Sequence, residues 1–143
     1  MGGPNSVEAG AFHEAAHAVL ATVHGLSVTV VSIWDLNNEY CETNESEPTT
    51  WDSARERLIV NFSGLTAQYL KHRSSCRTWH SCYDDRMTYR LAEKFGLDWQ
   101  VVQEEAFDEV EKYWPIIERV AKHLLEKRRL SGEEVRDIVS ALI

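Results

Sequence analysis

The 143-residue chain has no apolar run approaching the roughly 20 residues that a bilayer-spanning helix requires. Its start, MGGPNSVEAG, lacks the basic segment and apolar core of a secretory signal. Cysteine is scarce. Cys41, Cys76 and Cys82 are an odd number, far below the density of a disulfide-held scaffold, so reduced thiols in a cytoplasmic protein are expected. Positive charge is also in deficit: 15 Lys and Arg against 23 Asp and Glu leave a formal charge of −8, which repels a phosphate backbone and argues against nucleic acid as a partner. Internal repeats, low-complexity tracts and composition breaks are missing too, so residues 1–143 are expected to form one domain. What is present is 43% hydrophobic residues, enough to bury a sizeable core.

The spacing of apolar residues predicts a mainly helical α+β fold of five or six helices and a small β element. Asn5 and Glu8 have the capping-box spacing, and residues 7–23 carry apolar side chains in helical order, ending near Gly25. The β-branched stretch SVTVVSIW, residues 27–34, is the best strand candidate, with one or two short partners expected after it. Residues 35–50 are polar and acidic and contain Pro48, so they read as a surface loop with one poor strand around Tyr40 and Cys41. Helical periodicity returns from Trp51 to about Lys71 through Ala54, Leu58, Phe62, Leu65 and Tyr69. Ser81 with Asp84 opens another helix that closes at Gly96. Asp98 caps the next, Pro115 breaks or restarts it, and Ser131 with Glu134 caps the last. The five tryptophans are expected mostly in or half in the core, with Trp79, in a polar loop, the one placed to touch a substrate or partner.

The chemistry concentrates in FHEAAHAVL. Residues four apart on a helix are separated by about 6 Å of rise and point to nearly the same side, so His13 and His17 can reach one ion. In His-Glu-x-x-His sites the imidazoles bind zinc, and the glutamate, here Glu14, holds the attacking water as general base. Histidines satisfied on a helix surface are the plainer alternative, but Ala15, Ala16, Ala18, Val19 and Leu20 suit a buried helix, where two unexplained imidazoles are costly. His24 is about 10 Å further along the axis and is discarded as a ligand. The Gly and third His that complete the metzincin pattern are missing. A third ligand must come from elsewhere: Asp84 or Asp85 in the first turn of a later helix, or the group His72, Cys76, His80 and Cys82, whose ligand types suit a structural zinc but whose spacings match no usual finger.

Four stretches make the chain resemble the peptidase domain of the FtsH family, membrane-anchored ATP-dependent zinc proteases. FHEAAHAVL, with the strand VTVVSI after it, resembles the family's His-Glu-Ala-Gly-His-Ala-Leu helix and following strand. VNFSGLTAQYL is similar to its Gly-x-Ala-Ala helix, with Gly64 and Ala67 on matching positions. YDDRMTYRLAEKFG looks like its Asn-Asp-Leu-x-x-Ala-Thr-x-x-Ala segment, and AKHLLEKRRLSGEEVRDIV resembles its closing Leu-x-Gly-Glu-Glu-Ile element. The resemblance implies a compact helical zincin-like fold. Placing Ala92 on the family's alanine, it also implies Asp84 as third zinc ligand, and a substrate peptide added to the edge of the strand near residues 30–33. Ala16 stands where the family has glycine, and Tyr83 where it has asparagine before the ligand. No ATPase module or membrane segment accompanies the peptidase stretches in these 143 residues.

The expected function is therefore a stand-alone, ATP-independent zinc metalloendopeptidase acting on flexible or unfolded polypeptides: His13, His17 and Asp84 hold Zn2+ and Glu14 is general base. A separate ATPase or regulatory protein is a conceivable partner, and direct membrane insertion is not expected. An idle metal-containing binding module of the same fold is the alternative, against which retention of Glu14 argues. Short soluble metallopeptidases that cleave repressors in mobile elements share the His-Glu-x-x-His helix but not the downstream segments.

Overall fold

Helix α1, Pro4–Val23, runs through the middle of the protein. Ala11, Phe12, Ala15, Ala16, Ala18, Val19, Leu20 and Ala21 are all buried, so the helix is covered on nearly every side rather than along one stripe. Its many alanines let neighbours approach closely. The computed structural model describes residues 4–34, 39–73 and 82–143, with side chains from residue 7 in the first stretch and residue 86 in the third. α1 begins at Pro4, so Asn5 lies inside it and does not cap it; proline suits the first turn because no amide hydrogen is lost there. Gly25, at φ 78°, supplies the left-handed turn that ends it, as Gly96 at φ 66° does for the helix that ends at Phe95.

The remaining elements are β1 (Val28–Ser32), β2 (Tyr40–Thr43), α2 (Trp51–Lys71), α3 (Cys82–Phe95), α4 (Trp99–Lys112), α5 (Trp114–Lys127), β3 (Arg129–Ser131) and α6 (Gly132–Leu142). The fold is mainly helical with one small antiparallel sheet, an α+β arrangement. α1 packs against α2, α5, α6 and β1, and α2 packs in turn on α3 and α4. Leu20, Ile33, Leu58, Ile59, Ile117 and Leu124 are fully buried between these layers, each worth roughly 1.5–3 kcal/mol of burial. Among the described residues no helix is long and apolar enough to cross a membrane.

The local signals act largely as expected. Asp98 accepts from the Gln100 amide and caps α4. Pro115 sits in the first turn of α5, so it starts that helix instead of kinking a longer one. Ser131 and Glu134 form a complete capping box on α6. A second box, Thr50 with Ser53, opens α2. The expected cap at Ser81 lies outside the described residues.

The expectation for the sheet is corrected. The sheet order is β2-β1-β3, so the strand expected to offer a free edge is the central one: Val30, Val31 and Ser32 pair with residues of both neighbours. β3 is three residues long and carries no period of its own; Leu130 seals the core while the flanking Arg129 and Ser131 are exposed. Gly132 then passes so near the Val28 carbonyl that a Cβ there would collide with it. Of the tryptophans, Trp34 (74% exposed) and Trp51 (51%) stand in solvent rather than in the core. Trp114 stacks on Phe12 of α1 with ring centroids 5.3 Å apart, and Trp99 packs partly buried against the core. Trp79 lies outside the described residues.

Candidate metal and catalytic site

Helices α1 and α2 face each other through matched pairs of residues one turn apart: His13 and His17 on α1, Gly64 and Gln68 on α2. His13 Nδ1 donates to Gln68 Oε1 at 2.8 Å, and His17 Nδ1 donates to the Val60 carbonyl at 2.7 Å. A carbonyl only accepts, so the His17 proton sits on Nδ1 and Nε2 carries a lone pair. Bonds of this kind are what orient imidazoles as metal ligands.

Both Nε2 atoms turn toward Gly64. A Cβ built on that residue would lie 2.7 Å from His13 Nε2 and nearer still to His17 Nε2. The two Nε2 atoms are therefore within about 5 Å of each other, and the rings lie against the α2 backbone only because residue 64 has no side chain. Zn–N bonds are about 2.0–2.1 Å, so the pair fits a divalent ion of this size with small adjustment. The rings meet edge to face, with centroids 4.8 Å apart. Burial, and then the neighbouring His13, lower the His17 pKa from its ordinary value to about 3, so the ring is neutral and ready to ligate at physiological pH.

Glu14 is buried, 8% exposed, in the wall of a cavity of about 270 Å³ that also reaches His13, His17 and Arg57. Strand β2 supplies the opposite wall through Tyr40, Cys41 and Thr43. The Cys41 thiol is pushed up by burial and by the Glu14 charge beside it, which keeps it protonated at neutral pH. Glu39 also faces the cavity; its carboxylate occupies the space a Cβ on Gly10 would need, and burial raises its pKa to about 7.

Neither a protein-family model nor any curated protein matches the sequence. What the site can do is judged on its own side chains. Of the expected site residues, His13, Glu14 and His17 are brought together around one cavity. Asp84, the expected third ligand, is in the first turn of α3, but its side chain and that of Asp85 are outside the described residues. Among the described residues no three His, Cys, Asp or Glu gather closely enough to hold an ion. His24 is remote from the pair, as expected, and bonds Glu109 of α4 at 2.6 Å. Within the group His72, Cys76, His80 and Cys82, His72 bonds Glu8 at 2.5 Å, while residues 76 and 80 and the Cys82 side chain lie outside the described residues.

Sequence reading assigned no role to Gln68 or to the Val60 carbonyl. A signal existed for Gln68: Gly64 and Gln68 repeat the four-residue step of His13 and His17. Glu39, Cys41 and Arg57 gave none, because they join the site only through the path of the chain.

Proposed function

We propose that the protein is a zinc-dependent metalloendopeptidase of the FtsH peptidase type, with a zincin-like fold, acting without an attached ATPase on flexible or unfolded polypeptides. The observation that carries this reading is the convergence of His13 Nε2 and His17 Nε2 over Gly64, with buried Glu14 in the same cavity. His13, His17 and, by the family resemblance, Asp84 would hold the ion. When bound, zinc supplies a polarised scissile carbonyl and a more acidic attacking water.

The remaining work falls to this chain's own groups. Gln68 and the Val60 carbonyl keep the imidazoles aimed and in one tautomer. Glu14 takes a proton from the attacking water and delivers it to the departing amide nitrogen. Because β1 is paired on both sides, the outer edge of β2 is the place for an extended peptide: Tyr40, Cys41 and Thr43 border the cavity, and a free edge offers backbone donors and acceptors.

The test is zinc content together with casein cleavage for the native chain, Glu14→Gln and Asp84→Ala. One zinc per chain with cleavage confined to the native protein is expected, with Glu14→Gln retaining metal and losing at least about 100-fold in rate. Asp84→Ala should bind zinc more weakly; unchanged affinity would remove Asp84 as a ligand. Zinc without cleavage in any form would leave a metal-held binding module, and no zinc at all would return His13 and His17 to structural duty.

A further inference from the structure

Arg57 is the single Lys or Arg among the described residues lining the cavity, and it is scarcely used. Its Nη2 donates to the Ser46 carbonyl at 3.3 Å, a long bond. Its Nε is buried and has no hydrogen-bond partner. Glu39 borders the same cavity, and among the described residues the ion pairs formed do not include one between it and Arg57. Glu45, in the adjacent acidic loop, accepts from the Ser27 amide instead. A guanidinium held this way wastes donors in a site where an orphaned buried N–H costs about 1–3 kcal/mol.

We propose, on the peptidase reading above, that Arg57 determines specificity by recognising an acidic side chain of the substrate. The paired Nη atoms of a guanidinium form a fork that matches the two oxygens of a carboxylate, which a neutral amide or a backbone carbonyl cannot fill equally, while the buried Nε stays within the protein wall. Arg57 lies two helical turns before Gly64, about 10 Å along α2, the length of roughly three residues of extended peptide. The acidic residue therefore falls within three positions of the scissile bond. A chain of net charge −8 repels anionic substrates in general, and among the described residues lining the cavity Arg57 is the basic side chain that can offset this for a carboxylate.

The test separates binding from cleavage. Fluorescein-labelled ten-residue peptides of Ala, Ser and Leu carry one Glu moved through successive positions, each matched by a Gln peptide. Binding is measured on the zinc-loaded Glu14→Gln chain with Arg, Gln, Lys or Glu at position 57, after zinc content and circular dichroism have been compared. At one position the Glu peptide should bind roughly ten- to hundredfold tighter than its Gln match. Arg57→Gln should erase that preference and leave Gln-peptide binding unchanged, Arg57→Lys should keep part of it, and Arg57→Glu should favour a Lys peptide. Equal binding of Glu and Gln peptides at every position overturns the proposal, and this comparison needs no substitution at position 57. So does a preference that survives Arg57→Gln, or an equal loss for all peptides. Cleavage by the native chain without a Glu preference would sink this inference and spare the peptidase reading; Arg57-dependent binding without cleavage would do the reverse.

Discussion

A single missing side chain makes the candidate site possible. Gly64 is in mid-helix, where glycine costs roughly 1 kcal/mol relative to alanine, and its φ is ordinary, so conformational freedom does not explain it. Space does: the methyl group of alanine would collide with both imidazoles and push them out of place. Gly64→Ala should therefore gain helix propensity yet weaken zinc binding by at least about tenfold, a separation that zinc competition titration and thermal melts of the apo-protein can read. Undiminished zinc affinity would mean that the ion, if bound, sits away from Gly64. The residue scale is also where the sequence spoke most directly, because the four-residue step of His13 and His17 needs only a helix to become a shared face.

Helix boundaries are set by short-range chemistry, and most are legible as such. Ser131 accepts from the Glu134 amide while Glu134 returns a bond to the Ser131 amide, and Thr50 and Ser53 do the same for α2. Ser131→Ala and Thr50→Ala should each lower stability by about 1 kcal/mol and Tm by about 3–5 °C, measured by thermal denaturation, with zinc content unchanged. A larger loss would show that the cap also fixes the tertiary position of its helix. Strands behave differently. β1 announces itself by its run of β-branched residues, whereas β3 is a strand only because Val30 and Val31 are there to pair with it. No local signal marks such an element.

At the scale of the whole molecule, ion pairs tie distant parts of the chain together. His24, just past α1, bonds Glu109 on α4, 85 positions away, and the hydrogen bond to that carboxylate raises the His24 pKa above its ordinary 6.5. A raised folded-state pKa adds stability that is fully present below about 6.5 and is lost as pH rises through the folded value. Denaturant midpoints of the native chain and His24→Gln should therefore differ near pH 6 and converge near pH 9; a gap that stays constant with pH would assign His24 a packing role alone. The sequence by itself determined the helices, the caps at Asp98 and Ser131 and the His13–Glu14–His17 triplet, because each depends on spacing within a few turns of one element. Only the tertiary structure decided that β1 is the central strand, that Gly64, Gln68 and the Val60 carbonyl back the imidazoles, and that Glu39, Cys41 and Arg57 border the same cavity. Arg57, Val60, Gly64 and Gln68 are 40 or more residues from the histidines along the chain and Glu39 and Cys41 are 22 or more, and they meet the site because α2 and β2 close over α1, a matter of packing that no local period encodes.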